Sequence, residues 1–219
     1  MQQPPKMTIL PAFATPFAFL QYPAHERLNR ELKALFLEHE RVGGPYKNPI
    51  PTPTTQVNIF ESDFTLFSWK DEPIQELFRF AMQSLVGLIA QLNGYDPETL
   101  GKLKIHNHAW YHITRFGGYI SGHVHPMASW SGVYCVAAGE RPAEWPDSGV
   151  LRFSDPRASA FMYQDAGNDR IREPFNRGSQ NFRLESGHLV LFPSYLMHEV
   201  TPFFGKDERI TVAFNAWVR

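Results

Sequence analysis

Residues 117–136 read GGYISGHVHPMASWSGVYCV, and within them His123 and His125 are separated by a single residue. On an extended strand residues i and i+2 face the same way, so both imidazoles would point to one side, with Pro126 ending the ladder behind them. Two neutral imidazoles at that spacing can bind one transition metal; the other reading is a pair of polar residues at a strand end. A third imidazole, His198, follows the apolar strand Leu189 to Phe192 by a few residues, in GHLVLFPSYLMHEVTPF, where a further strand can start. After a turn around Gly205, RITVAFN alternates: Arg209, Thr211, Ala213 and Asn215 share one face, and Ile210, Val212 and Phe214 the other. An arginine on the polar face of a sandwich strand asks for an anion. Its planar fork grips a carboxylate with two parallel hydrogen bonds, and the hydroxyl two residues on adds a third.

These residues need a scaffold of strands. After Gly101 the chain breaks into short β-branched and aromatic segments (KIHNHAWYHITRF, ASWSGVYCVAA, GVLRFS, GHLVLFPS, RITVAFNAWV) separated by Gly and Pro turns, the pattern of a β-sandwich or barrel. Before Gly101 two amphipathic helices are written. Residues 24–40 place Leu28, Leu32, Leu35 and Phe36 on one face and end at Gly43-Gly44. The second runs from a cap at Asp71 through Ile74, Leu77, Phe78, Ala81, Leu85, Leu88, Ile89 and Leu92 to Asn93-Gly94. A proline-rich extended connection and a strand near Val57 to Phe60 lie between them. The polar stretch 155–183 is longer than a hairpin loop and reads as a lid or a surface insertion. Its Arg157, Arg170, Arg172, Arg177 and Arg183 are offset by Asp165, Asp169 and Glu173.

Composition narrows the class. Eighteen Pro, fifteen Gly and eighteen Phe favour many short strands over a helical bundle. A formal net charge of -1 provides no basic field for nucleic acid or an anionic membrane. Cys135 is the only cysteine, so no intramolecular disulfide is possible, and its apolar strand setting marks it as a buried inert thiol. No apolar run approaches the ~20 residues of a membrane span, and the proline-rich N-terminus is a poor signal peptide, so a soluble cytoplasmic protein is expected. The sequence is silent on oligomeric state.

The order HxH, distal His, then RxT is similar to that of the iron(II)- and 2-oxoglutarate-dependent oxygenases, whose metal triad is usually HxD or HxE with a distal His. The chain most resembles a bacterial group of these enzymes, through HVHP, SGVYCV, LRFSDPR, GHLVLFPSYLMHEVTPF and RITVAFN, with ATPFAFLQY and the two helices also in keeping. The likeness spans most of the chain and is specific in its C-terminal half. It implies a mainly β fold with flanking helices: a double-stranded β-helix (jelly roll, cupin-like) core over 101–219, with a helical and extended part over 1–100, as one domain over 1–219. It implies iron(II) and 2-oxoglutarate as cofactors, with ascorbate as a reductant and O2 as co-substrate. The reaction would hydroxylate a small molecule, or a peptide or amino-acid side chain, and release succinate and CO2.

Carried over by position, His123 and His198 would be metal ligands, and Arg209 with Thr211 would hold the far carboxylate of 2-oxoglutarate. Tyr134 either reaches the cosubstrate with its phenol or packs in the core with its hydroxyl satisfied. His125 stands where the usual triad has its carboxylate, which leaves an iron site one charge more positive. Asp155 and Glu199 are the alternative oxygen donors, although Glu199 faces away from His198 on a regular strand. Of Asn107, His108, Tyr111 and His112, one or two should face the pocket. His25, His39 and His188 read as surface residues. Two other classes stay open: a three-histidine cupin-type dioxygenase that does not use 2-oxoglutarate, and a non-catalytic jelly-roll binding protein.

Overall fold

The computed structural model describes residues 7–50, 52, 54–157 and 165–219. The expected lid or insertion falls partly on residues 158–164, which lie outside the described residues. The strands are β1 (Ala18–Gln21), β2 (Gln56–Glu61), β3 (Ile105–His123), β4 (Trp130–Ala137), β5 (Leu151–Phe153), β6 (Gln180–Phe182), β7 (His188–Pro193), β8 (His198–Val200) and β9 (Arg209–Val218). All pair antiparallel in the order β1-β7-β4-β9-β3-β8-β5-β6, with β2 added alongside β3.

The 19-residue β3 makes this one sheet a jelly roll. Its residues 105–114 pair with β9, and its far end, Ile120 and His123, pairs with β8. The strand thus belongs to both halves of a curled sheet. The sequence pattern suggests a break at Gly117-Gly118, yet the strand runs through it. Gly117 takes φ 75°, and a Cβ at Gly118 would stand 2.6 Å from the Thr114 methyl and 2.9 Å from the Asn58 carbonyl oxygen, so only glycine fits there.

Alternation along β4, β7 and β9 sorts two cores. One face, with Tyr134, Leu189, Leu191, Ile210, Val212 and Phe214, packs against the helices. The other, with Cys135, Val190 and Phe192, meets Ile120, Leu151, Phe153 and Val200 inside the roll. Helix α1 (His25–Val42) buries Leu28, Leu32 and Phe36, four residues apart, and α2 (Glu72–Asn93) buries Ile74, Leu77, Ala81, Leu85 and Ile89. Each large apolar side chain so buried contributes about 1.5–3 kcal/mol. Helix α2 ends at Gly94 in the left-handed conformation, but Asp71, although at the N-cap position, makes no side-chain cap bond. A third helix, α3 (Pro97–Lys102), was not anticipated: six residues are too few to show a periodic stripe, and Asp96 caps it through the Thr99 N–H at 2.7 Å. The first hundred residues are also more than an outer layer, since β1 extends the β7 edge and β2 covers β3.

Candidate metal centre

Register brings the histidines together. His198 opens β8 directly opposite His123, the last residue of β3, with ring centroids 4.3 Å apart. His125 lies beyond the end of β3, so strand alternation does not aim it. Its backbone N–H donates to the Ser194 carbonyl at 3.0 Å, and a turn closed by the Ala128 N–H carries the ring to 5.0 Å from His123 and 5.1 Å from His198. One ligand atom from each of the three lies within 4.8 Å of the others, and among the described residues no carboxylate joins them.

The donor set suits a metal. His123 donates from Nδ1 to the Ser121 carbonyl at 2.9 Å, and His198 from Nδ1 to the Leu196 carbonyl at 2.8 Å, which fixes both rings and leaves each Nε2 lone pair free. Burial lowers the pKa of all three: His123 downward, His125 to about 4 with help from His123 and His112, and His198 to about 3 with help from His123. They are therefore neutral at pH 7, the form that binds a metal.

Arg209 and Thr211 follow on the interior face of β9, opposite Thr114 and His112 of β3. Both are buried, and both border a cavity of about 40 Å³ shared with the three histidines. The Arg209 guanidinium has no ion-pair or hydrogen-bond partner among the described residues, and burial pushes its pKa down. A buried guanidinium without an acid is costly. It is the orphan that a ligand carboxylate would complete.

Tyr134 is not part of this group. It occupies the opposite face of β4, where its hydroxyl donates to Asn29 Oδ1 of α1 at 2.9 Å and its ring packs near Phe80 of α2. The helices cover that face, which makes it core and removes the phenol from the cavity. Neither alternative oxygen donor reaches the histidines. Asp155 is held by Arg157 at 2.7 Å, which with its hydrogen bonds sets its pKa at about 2, and Glu199 pairs with Arg152 at 3.3 Å.

A larger pocket of about 660 Å³ adjoins the cavity, and the two share Trp110, His112, Ile120, His123 and His125. Residues 108, 110 and 112 of β3 alternate onto its wall, so His108 and His112 line it, whereas Tyr111 stacks on Phe36 among the helices at 4.0 Å. His112 Nε2 lies 3.0 Å from Glu61 Oε2, a buried pair that joins β3 to β2. Glu61 and Trp110 had not been singled out. Glu61 becomes visible only once β2 is paired with β3, but Trp110 was legible from the alternation that places it between His108 and His112.

A family model described as "Putative 2OG-Fe(II) oxygenase" matches residues 108–215, the span that carries all three histidines, Arg209 and Thr211. The chain belongs to the 2OG-Fe(II) oxygenase superfamily. The oxygenase fold is shared with a Pseudomonas putida prolyl-4-hydroxylase at 20% identity and TM-score 0.58, over 94% of this chain and 92% of that one. It is also similar to a Trichoplax adhaerens prolyl hydroxylase, solved with a hypoxia-inducible-factor peptide, at 15% identity and TM-score 0.57 over 92% and 83%. HygX of Streptomyces hygroscopicus, solved with nickel and 2-oxoglutarate bound, matches at 12% identity and TM-score 0.52 over 93% and 83%. No curated protein sequence is significantly similar to this oxygenase. No helix among its described residues is long and apolar enough to cross a membrane.

Proposed function

We propose that the chain acts as an iron(II)- and 2-oxoglutarate-dependent dioxygenase that hydroxylates a small molecule or a peptide or amino-acid side chain, working as a single domain in the cytoplasm. The buried free thiol of Cys135 is in keeping with that compartment. The observation that carries the reading is Arg209, a buried guanidinium with no acid of its own, bordering the same small cavity as three neutral imidazoles. A dicarboxylate cosubstrate would supply the acid that Arg209 lacks and a further oxygen donor for a metal held by the histidines.

Iron(II) with 2-oxoglutarate supplies the oxidising power, consuming O2 and giving succinate and CO2. The chain's own residues hold and orient. His123 and His198 offer Nε2 from rings locked by backbone carbonyls, and His125 completes the donor set. Arg209 and Thr211, which border the same cavity, would hold a carboxylate of the cosubstrate by charge and hydrogen bonding. Ile120, Leu151, Phe192 and Val200 wall the cavity and keep water out. The imidazole of His125 in the carboxylate position also matches a three-histidine dioxygenase that would not need Arg209. Anaerobic reconstitution with iron(II), followed by succinate measurement in air, separates the two. Succinate that requires iron and 2-oxoglutarate, and that is lost in Arg209→Ala, is expected; oxygen uptake without succinate would overturn the 2-oxoglutarate part.

A further inference from the structure

The interior face shared by β3 and β9 is graded from its closed end to its mouth. Thr114 lies opposite Arg209, His112 opposite Thr211, Trp110 opposite Ala213, His108 opposite Asn215 and His106 opposite Trp217. The anchor for an anion lies deepest, a small residue faces Trp110, and rings gather at the mouth. Phe64 leans on Trp110 with centroids 4.8 Å apart, and Trp217 meets His108 edge-on at 4.9 Å. Faces and edges of several rings are therefore offered to the 660 Å³ pocket, the arrangement that favours another ring.

Among the described residues two N–H donors of this wall make no hydrogen bond, one buried and one on a half-buried side chain. Trp110 is 7% exposed, and its buried indole Nε1 has no hydrogen-bond partner. Asn215 receives a hydrogen bond at Oδ1 from Ser131 at 2.7 Å, and Ser131 is itself fixed to Ser194 at 2.8 Å, so the Asn215 amide nitrogen is left for the pocket. Trp110 and Asn215 are diagonal neighbours across the β3–β9 ladder, close enough to serve one ligand group. A buried donor such as the Trp110 indole is seldom left unmade, because that forfeits its hydration without return; the half-buried Asn215 amide is free to join it.

The charge of the wall is equally specific. Among the described lining residues Glu61 is the one side-chain carboxylate and Arg219 the one guanidinium, and both Glu61 oxygens are already engaged: Oε1 by Asn48 and Thr52, Oε2 by Gln56 and His112. Glu61 has no capacity left for a cationic substrate. Three imidazoles with no carboxylate also leave the charge of a bound metal uncancelled by the protein, which disfavours a cation beside it.

We infer that the pocket takes a substrate with an aromatic ring, packed against Phe64, Trp110 and Trp217, whose carbonyl or carboxylate oxygen accepts from Trp110 Nε1 and the Asn215 amide. What is then done to that substrate rests on the oxygenase reading above; its binding does not. The test uses the full chain labelled with ¹⁵N, both metal-free and with zinc(II) and 2-oxoglutarate. The five tryptophans give separate indole signals, and Trp110→Phe identifies the one that matters. Phenylacetate and phenylacetamide are titrated against their saturated twins, cyclohexylacetate and cyclohexylacetamide, with benzylamine as the cationic control. The Trp110 indole proton should move downfield with the aromatic acid or amide, and the saturated twins should bind roughly three- to tenfold more weakly. Trp110→Phe and Asn215→Leu should each weaken the aromatic probes roughly tenfold, the share of one hydrogen bond. An unmoved Trp110 signal with all four acceptor probes, equal binding of the saturated twins, or benzylamine binding as well as phenylacetate would overturn the inference. No turnover is needed, so a missing succinate signal would sink the oxygenase reading and leave this one standing.

Discussion

His123 and His198 face each other as direct partners across β3 and β8, with ring centroids 4.3 Å apart. Two of the three candidate ligands are therefore set by sheet register and not by loop placement. A slip of one residue in either strand would turn one ring out of the roll.

His123→Ala and His198→Ala should each abolish stoichiometric iron after anaerobic reconstitution, a loss larger than the roughly 10–100-fold typical of removing an outer partner of a ligand. Colorimetric iron per chain measures it. Full retention of iron in either variant would remove that histidine from the site.

His125→Asp should still bind iron. The residue sits on a turn beyond β3, held by the backbone bond to Ser194, so a shorter side chain there meets no ladder constraint. Complete loss of metal in this variant would mean that the turn is shaped for an imidazole.

Arg209→Met should raise the stability of the ligand-free protein by about 1–4 kcal/mol, because an unpaired buried guanidinium gives way to an apolar chain of similar length. The same change should weaken 2-oxoglutarate binding by roughly 30–100-fold, the loss of a charge-assisted pair of hydrogen bonds. Thermal unfolding reads both, since a ligand of the folded state raises the midpoint. A midpoint that rises equally with 2-oxoglutarate in both proteins would place the anion elsewhere.

Acid should unfold the protein partly through Glu61. Burial pushes its pKa up, but hydrogen bonds from His112, Thr52 and Gln56 and the charge of His112 outweigh that and hold it at about 2, below its ordinary 4.5. A lowered folded-state pKa means stability that is fully present above about 4.5 and drains away as pH falls toward 2. Glu61→Gln should therefore cost about 1–3 kcal/mol at pH 7, and its gap from the parent protein should narrow at pH 4 and below. Urea midpoints at pH 7, 4 and 3 test this; parallel curves would show that the Glu61 charge contributes nothing.

The sequence showed His123, His198, Arg209 and Thr211 because each stands at a strand boundary or on an alternating face, and alternation is local information. Tyr134 was ambiguous for a physical reason. Both faces of β4 are buried, one by helices and one by the opposing sheet half, so hydrophobic alternation does not tell inside from outside. His125 converges through a turn and a bond to Ser194, and the Glu61–His112 pair depends on β2 choosing β3; both are contacts between distant segments that no short pattern encodes. The edge strand β1 escaped notice likewise, since four residues acquire meaning only from the partner β7.

β3 carries His108, Trp110, His112 and Thr114 along the site and ends at His123, and it is paired by β9, β2 and β8 in turn. Its amide protons have partners on both sides through its central stretch, so they exchange with solvent only when the roll itself opens. The pocket wall, the strand opposite Arg209 and Thr211, and the candidate metal ligand His123 thus share one cooperative unit. Hydrogen exchange should find them protected together as the slowest set in the molecule, with any substrate-dependent change confined to the short segments that lean on this strand.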